Sequence, residues 1–504
     1  MRAIGIAIPF FRRRSGVPID AQAQAHFNRV IADGGVVPSG LSGVNAFFSA
    51  VKAIYGTTDI NTAISAAYDA HYLGYKLGAG SGTTLGQAAQ KLYSCSGASG
   101  DLVQATAASQ PLLLEHSGEN YWFGSGVNGN YLSALTSASN ITDDIEIGIY
   151  CDYLQKTNQS LGGKTNGGTY IFYLNSIGRP VFQALSNTLM AQSTVGVPIS
   201  QGWLKASRKR GVSGFVKFFY SAQPSTTPIA SINWIELSNV PETSNQPLTI
   251  DNVNVNFGAI SNGVSLPSTG KIYRGWIANS IGGTPVVDFN PASYNPATSQ
   301  SSWVSATSET WTINTGTATS GYKSALVDRS LVQLDRTDDS MSIALTSTMQ
   351  TSLSTNCGFG LVATRFTNSN NEFVATLGGD FTANNSTQVW LQGSTLGVDI
   401  ATAGTVRAGV TATGTYTLAR RFSYVDNIVY GGTTTQVLNA TSNSGLYFNN
   451  TTNKPTITSG NFVLGQSGFG RLNGNVFTFV MAIDGTKFNQ LNTALRTFNN
   501  NFAL

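Results

Sequence analysis

Histidine is the residue type that most restricts the chemistry open to this chain. The 504 residues contain only three, His26, His71 and His116. Serine and cysteine nucleophiles need a neighbouring base, which is most often histidine. The long part of the chain after residue 116 can therefore form such an arrangement only if His116 supplies the base. The sequence around His116 (LEHSG) is more typical of a turn at the end of a strand.

Paired carboxylates are a second possible source of chemistry. Alternate residues of a strand face the same side, so Asp144 and Glu146 in the stretch 142–146 (TDDIE) would project together. Glycoside hydrolysis uses two carboxylates held a few ångströms apart. Thr142, at the preceding alternate position, contributes none. A plainer interpretation is a turn that leads into an edge strand, so we predict no catalytic residues.

Metal sites are weakly indicated. Cys95, Cys151 and Cys357 lie far apart and form no CxxC pair, so we expect buried thiols and no zinc site. The stretches 335–339 (DRTDD) and 251–254 (DNVN) offer hard oxygen ligands of the kind calcium prefers. Solvated turn residues are the alternative for both stretches. We therefore expect no cofactor, with Ca²⁺ as the weaker alternative.

The charge is low and unevenly placed. Only 11% of residues are charged, and the net charge is +4. Four of the 29 Lys and Arg residues lie in the first fourteen residues, which contain no acid, and the remaining 25 balance the 25 Asp and Glu residues. A nucleic-acid groove over the main body is therefore not expected.

The N-terminal tail combines apolar and basic residues. Its side chains suit docking on a partner by strand addition, although a solvated tail is the alternative. No stretch is long enough for a membrane span, and no signal peptide is recognised, because the main basic cluster follows the apolar stretch. The residues predicted to anchor the chain are Ile6, Ile8, Phe10, Phe11, Arg12, Arg13 and Arg14.

The pattern of helices and strands indicates two parts. Helices are predicted over 20–34, with Asp20 as cap, over 42–56, and more loosely over 59–72. From about residue 100, short strands alternate with Gly, Asn, Ser and Pro turns, as in sandwiches and jelly rolls. The order of matching segments repeats, so we predict two copies of one sandwich. The predicted divisions are a tail at 1–16, a helical module at 17–94, sandwiches at 95–290 and 325–504, and a connector at 291–324.

Several motifs resemble the laminin-G-like (concanavalin-type) domains found in tailed-phage virion appendages. The stretches that carry this resemblance are 270–274 (GKIYR), 283–291 (GTPVVDFNP), 309–315 (ETWTINT), 104–111 (QATAASQP), 126–132 (GVNGNYL) and 20–27 (DAQAQAHF). It implies a mainly β fold with two tandem concanavalin-like jelly-roll domains after a small helical module. Glycosidases of this fold carry Glu-x-Asp-x-Glu on one strand, whereas Thr142 stands here in place of the first Glu.

The resemblance also implies a setting. We expect a non-enzymatic virion protein, made in the host cytoplasm and released by lysis, that attaches through its N-terminus to capsid or tail proteins. Its sandwiches would bind host-surface or mucosal glycans, and a homo-oligomer, for example a trimer, is expected. A polysaccharide depolymerase using Asp144 and Glu146 is one alternative, and a structural spacer is another.

Tryptophan is the residue type best suited to stacking on sugar rings. Trp234, Trp276 and Trp390 lie in strand patterns and are predicted to be buried. The sequence assigns none of the seven to a glycan site, and the other four lie nearer turns, namely Trp122, Trp203, Trp303 and Trp311.

Overall fold

The computed structural model confirms the mainly β fold that the sequence predicts. The predicted anchor, Ile6 to Arg14, lies outside the described residues. No helix in the described part of the chain has the length and apolar character needed to cross a membrane. The structure describes residues 18–78, 87–164, 169–185, 188–242, 244–260, 263, 265–294, 302–366, 372–378, 386–392, 395–402, 405–413, 422–429, 436–438, 457, 459–467, 470–483 and 487–499.

Two of the three predicted helices are present. Helix α1 (Ala21–Ala32) begins where the Asp20 carboxylate accepts hydrogen bonds from the backbone N–H groups of the next turn. Helix α2 (Gly40–Tyr55) ends at Gly56, which has a φ of +65° and so terminates the helix without a Cβ penalty. The predicted helix over 59–72 is wrong, because residues 64–69 form a strand whose six side chains are all buried.

Five short strands follow these helices and come before the part of the chain that forms the first complete sandwich. They are β1 (Ile64–Asp69), β2 (Tyr75–Leu77), β3 (Gln87–Leu92), β4 (Leu102–Val103) and β5 (Leu112–Leu114).

Residues 121–327 form a complete sandwich of their own, which we call the inserted sandwich. Sheet I has the strand order β15-β14-β13-β8-β17-β6-β21, with β18 beside β17, and sheet II has the order β12-β11-β10-β9-β16-β7-β20-β19. The strands are β6 (Tyr121–Ser125), β7 (Asn130–Ala134), β8 (Ile145–Cys151), β9 (Gln159–Lys164), β10 (Tyr170–Leu174), β11 (Pro180–Ala184), β12 (Leu189–Gln192), β13 (Gly202–Lys209), β14 (Phe215–Ser221), β15 (Ile235–Pro241), β16 (Val255–Phe257), β17 (Thr269–Ala278), β18 (Pro285–Phe289), β19 (Ser302–Val304), β20 (Thr310–Thr315) and β21 (Ala325–Val327).

The rest of the chain completes what we call the outer sandwich, residues 64–114 and 331–482. Strand β3 pairs with both β4 and β5 and so joins its two sheets. The remaining elements are β22 (Leu331–Asp335), β23 (Met341–Ala344), α3 (Ser347–Thr355), β24 (Asn356–Arg365), β25 (Glu372–Gly378), β26 (Ser386–Gln392), β27 (Thr395–Thr402), β28 (Thr405–Thr413), β29 (Phe422–Val429), β30 (Gln436–Leu438), β31 (Asn461–Leu464), β32 (Gln466–Ser467), β33 (Gly470–Arg471), β34 (Asn473–Ala482) and α4 (Phe488–Phe498).

One sandwich is therefore inserted into the other. The chain leaves the outer sandwich at β5 and returns at β22, and these two strands are antiparallel neighbours with Leu114 opposite Leu331. Inside the insertion, Tyr121 of β6 lies opposite Val327 of β21. Two of the hydrophobic core clusters are segregated in the same way: one contains only residues between 122 and 326, and a second contains only residues from 66–113 and 332–481. A third cluster joins the two sandwiches, because it packs residues of β6 and β21 against the helices and the outer sandwich.

This topology corrects the predicted tandem arrangement, because one sandwich interrupts the other. Strands β4 and β5, which fall in the predicted first sandwich (95–290), belong to the outer one. Strands β1, β2 and β3, which fall within the predicted helical module, belong to the outer sandwich, and β1 is paired to β34. The predicted connector, residues 291–324, contains β19 and β20, and β20 pairs with β7 of the inserted sandwich. Threonines of β20 lie on the polar face of this strand, whereas Trp311 and Ile313 on its other face belong to the core.

The two sandwiches repeat the same strand order. The series β14-β13-β8-β17-β6 in the inserted sandwich matches β30-β29-β24-β34-β22 in the outer one. In the opposing sheets, β11-β10-β9-β16-β7-β20 matches β27-β26-β25-β31-β23-β4. The short strand β4 thus occupies the place in the outer sandwich that β20 occupies in the insertion.

Candidate functional site

The paired carboxylates of the alternative hydrolytic site, Asp144 and Glu146, are not free. Strand β8 lies between β13 and β17 in the middle of sheet I, so the predicted edge strand is wrong. Glu146 is buried and accepts hydrogen bonds from Lys205 Nζ at 2.9 Å and Ser207 Oγ at 2.5 Å. Asp144 lies just before the strand and accepts from the backbone N–H of Arg210 at 2.9 Å. Both carboxylates thus have protein partners.

His116 lies immediately after β5, at the junction between the sandwiches. Its Nε2 lies 3.1 Å from Asn120 Oδ1, and its ring centroid lies 6.2 Å from that of His71. Burial lowers the pKa of His116, which opposes protonation. Ser330 Oγ accepts from the backbone N–H of His116. These contacts hold His116 in position at the junction between the two sandwiches.

The thiols are inert where they are described. Cys95 and Cys151 are free and buried. Burial raises the pKa of Cys95 to about 12 and also raises that of Cys151. The side chain of Cys357 lies outside the described part of the chain.

One of the two predicted calcium stretches gathers its carboxylates. The ligand atoms of Asp335, Asp338 and Asp339 all lie within 4.8 Å of one another. Burial, together with the charges of the other two, raises the pKa of Asp339 to about 8. Asn473, directly opposite Asp335, is fully buried, and its Oδ1 has no hydrogen-bond partner. The three carboxylates form an acidic cluster, whereas the stretch 251–254 contributes nothing to it.

Among the six tryptophans whose side chains are described, five are buried, including all four that lie near turns in the sequence. Trp303 is 4% exposed, and Trp122, Trp203, Trp276 and Trp311 are exposed by 1% or less. Trp234, which was predicted to be buried, is half-buried, and the Lys205 ammonium lies 4.6 Å from its ring centroid. Proximity to a turn therefore does not indicate exposure here. The side chain of Trp390 lies outside the described residues.

A cleft on the outer face of sheet I is the best candidate for ligand binding. It has a volume of about 470 Å³, within the usual range for small-molecule sites. Three connections and one strand of the inserted sandwich supply its walls. We call it the tyrosine cleft; it is lined by Gly118, Glu119, Asn120, Ser225, Thr226, Tyr273, Arg274, Asn290 and Ala292.

Two neighbouring rings hold Tyr273 in the cleft. The ring centroids of Tyr121 and Tyr150 each lie 5.5 Å from that of Tyr273, and Tyr150 meets it edge-on. The pairing of β17 with β8 shifts register between Ile272 and Arg274. This irregularity interrupts the alternation of strand side chains, so Tyr273 and Arg274 can both line the cleft. Sequence patterns carry no signal for such a bulge.

The charged residues of the cleft have protein partners, but each also has a polar atom that makes no hydrogen bond within the described residues. The Arg274 guanidinium contacts the Asp288 carboxylate at 3.3 Å and 3.4 Å through Nε and Nη2. Ser225 Oγ donates to Glu119 Oε2. Within the described residues, Arg274 Nη1, Glu119 Oε1 and the Tyr273 hydroxyl make no hydrogen bond. The cleft thus presents donors and an acceptor beside an aromatic ring.

Comparison with protein-family models and with curated sequences finds no match. Among solved structures, laminin domains LG4-5 of the mouse α1 chain are 9% identical with a TM-score of 0.26, covering 73% of this chain and 88% of that one. A pentraxin from Limulus polyphemus is 8% identical with a TM-score of 0.23, covering 32% and 76%. A Trypanosoma rangeli sialidase is 9% identical with a TM-score of 0.26, covering 67% and 62%. Similarity at this level assigns neither a family nor a function.

Proposed function

We propose that this protein is a non-enzymatic carbohydrate-binding protein and that the tyrosine cleft is its binding site. The cleft carries this proposal because it combines one aromatic ring with free donors and acceptors in a volume suited to one or two sugar units. Sugars present hydroxyl groups, which both donate and accept, and apolar C–H faces that pack on rings. Tyr273, Glu119 and Arg274 supply these three kinds of contact.

The finer proposal is that the chain is an appendage of a tailed-phage virion. Its support is the sequence resemblance together with the neutral body and the basic, apolar N-terminus. In this setting the N-terminal residues 1–14 dock on capsid or tail proteins, and the inserted sandwich meets host-surface or mucosal glycans. Many copies on one particle, or a trimer of chains, would compensate weak single sites through effective concentration.

A glycan array probed with the full chain tests the binding proposal. Tyr273→Phe removes only the hydroxyl, and Glu119→Gln keeps an oxygen for Ser225. We expect Tyr273→Phe to bind about three- to tenfold more weakly, as for the loss of one neutral hydrogen bond, and Glu119→Gln about 10- to 100-fold more weakly, as for the loss of a hydrogen bond to a charged group. Lys217→Met, which removes an exposed ion pair between Lys217 of β14 and Glu236 of β15, is the matched control. No binding by the wild type, or equal binding by all variants, would contradict the proposal.

Two further experiments address the setting and the alternatives. Deletion of residues 1–14 should leave a folded protein that no longer joins particles, and normal incorporation would refute the anchor. The depolymerase alternative predicts release of reducing ends that Glu146→Gln abolishes. The ion pair of Glu146 with Lys205 weighs against this alternative. A spacer without a ligand predicts an empty glycan array.

A further inference from the structure

A second cleft lies on the opposite side of the inserted sandwich. Ala134 and Trp311 face the core, so their neighbours Ser133 and Thr312, which are paired across β7 and β20, face outward from sheet II. The cleft above them has a volume of about 530 Å³. We call it the threonine cleft; it is lined by Ser133, Ala134, Leu135, Thr136, Ser137, Asn254, Thr307, Ser308, Glu309, Thr310 and Thr312.

Glu309 is the one charged residue that lines this cleft. It is only 4% exposed, and its Oε1 accepts hydrogen bonds from the backbone N–H of Asp288 and from Thr307 Oγ1, both at 2.7 Å. Its other carboxylate oxygen, Oε2, is buried and has no hydrogen-bond partner in the described part of the chain. A buried, unpaired acceptor is costly, and a donor from a ligand in the cleft would satisfy it.

The lining defines the chemistry of that ligand. Hydroxyl groups dominate the cleft, and those of Thr310 and Thr312 make no hydrogen bond within the described residues. The rim is apolar, because Leu135 is 60% exposed. No basic residue lines the cleft, which disfavours an anion. A single carboxylate is also few for calcium, which takes six to eight oxygen ligands and favours several carboxylates.

We propose that the threonine cleft is a second saccharide site, which binds a neutral sugar unit with a hydroxyl donating to Glu309 Oε2. This inference rests on the proposed carbohydrate-binding function and adds a second contact point to it. The outward hydroxyls of Thr310 and Thr312 exchange hydrogen bonds with the sugar, and Leu135 packs on its C–H face. One chain then carries saccharide sites on both faces of the inserted sandwich.

The two clefts share a structural connection. Arg274 of the tyrosine cleft holds the side chain of Asp288, whose backbone N–H is held by Glu309 of the threonine cleft. The variant Glu309→Gln keeps the oxygen that accepts this N–H and removes the charge. It therefore tests the second cleft without dismantling the first.

Saturation-transfer NMR with the methyl glycosides of glucose, galactose, mannose and N-acetylglucosamine tests the proposal on the full chain. We expect a response from at least one of them. The affinity for that glycoside, taken from the response over a series of concentrations, should fall about 10- to 100-fold in Glu309→Gln, as for the loss of a hydrogen bond to a charged group. Thr312→Val, isosteric and half-buried, should also weaken it while leaving thermal unfolding unchanged. Tyr273→Phe should leave this part of the response intact.

The possible outcomes separate the two sites. A response lost in the Glu309 and Thr312 variants but kept in Tyr273→Phe supports the second cleft, even if the tyrosine cleft fails its own test. A response lost only in Tyr273→Phe overturns the second cleft and leaves the first. No response to any glycoside overturns this inference, and a response that disappears with EDTA and returns with Ca²⁺ shows a cation site instead.

Discussion

The buried ion pair between Arg329 and Asp69 allows a demanding test of the insertion topology. Arg329 lies on the connection by which the chain returns from the inserted sandwich, between β21 and β22. Its Nη2 lies 2.5 Å from Asp69 Oδ1, and their side chains are 2% and 0% exposed. Thr478 Oγ1 donates to Asp69 Oδ2 at 2.6 Å, and Arg329 Nη1 donates to the carbonyl of Phe498. One arginine thus ties the ends of β1 and α4 to the return connection.

Removal of one partner should be costly because the other stays buried without its counter-charge. We expect Arg329→Met and Asp69→Asn each to lower the free energy of unfolding of the outer sandwich by about 3–5 kcal/mol. The double variant should lose less than the sum of the two by about 1.5–3 kcal/mol, since the residues are in direct contact. Lys217→Met is the control, because its pair with Glu236 is exposed by 27% and 42% and should contribute less than about 1 kcal/mol.

Urea denaturation followed by hydrogen exchange measures these values and locates them. The loss should appear in amides of β1, β34 and α4, while the core of the inserted sandwich keeps its protection. A cost for Arg329→Met as small as that of the control would refute the reasoning. So would strict additivity in the double variant, or an equal loss of protection in β8 and β13.

Three further predictions concern other parts of the molecule. Residues 118–328 produced alone should show a cooperative calorimetric transition, because their main core cluster lies wholly within them, and only the few residues of β6 and β21 that pack on the outer sandwich lose contacts; a chain that folds only with residues 64–114 present would contradict this. Burial lowers the pKa of His26 to about 4, below its value in the unfolded chain. Its contribution of about 3 kcal/mol to the free energy of unfolding is therefore complete above pH 6.5 and is lost as the pH falls toward 4. Thermal unfolding of His26→Gln should therefore vary less across this range, and an unchanged pH profile would count against it. Millimolar Ca²⁺, but not Mg²⁺, should raise the unfolding temperature through Asp335, Asp338 and Asp339, and Asp339→Asn should abolish the shift, whereas an identical shift in that variant would exclude the cluster.

Local signals in the sequence predict helices α1 and α2 correctly, but the helix that they predict over residues 59–72 is wrong. Asp20 and Gly56 mark helix ends through hydrogen bonding and backbone geometry, and both act as expected. Residues 64–69 contain apolar side chains at spacings that also fit a helix. Their partner strand β34 lies more than 400 residues away, as the Ser65 Oγ bond to the Met481 carbonyl shows with its separation of 416 residues. No local pattern carries that information.

The insertion and the two clefts could not be predicted from the sequence, for related reasons. The short apolar runs at β5 and β21 precede the two sandwiches in equivalent ways, yet each pairs with a strand of the sandwich that the chain is about to leave. Similar residues, Leu and Val or Ala, cannot specify which neighbour they meet. Tyr273 and Arg274 depend on a bulge, and Glu309 stands in a Ser/Thr-rich stretch that reads as a linker. The composition of this stretch indicates exposure to solvent, but the pairing of β20 with β7 makes it part of the inserted sandwich.

The long separation between paired strands has a consequence for the nascent chain. Asp69 and its partner Thr478 are 409 residues apart. At about 5–20 residues per second, a ribosome takes roughly 20–80 s to make that interval. The inserted sandwich has all its strands well before this time ends, whereas β1, buried along its whole length in the finished protein, must wait without its partner. Synthesis therefore sets an order of folding in which the inserted sandwich is ready first and the N-terminal segment closes last.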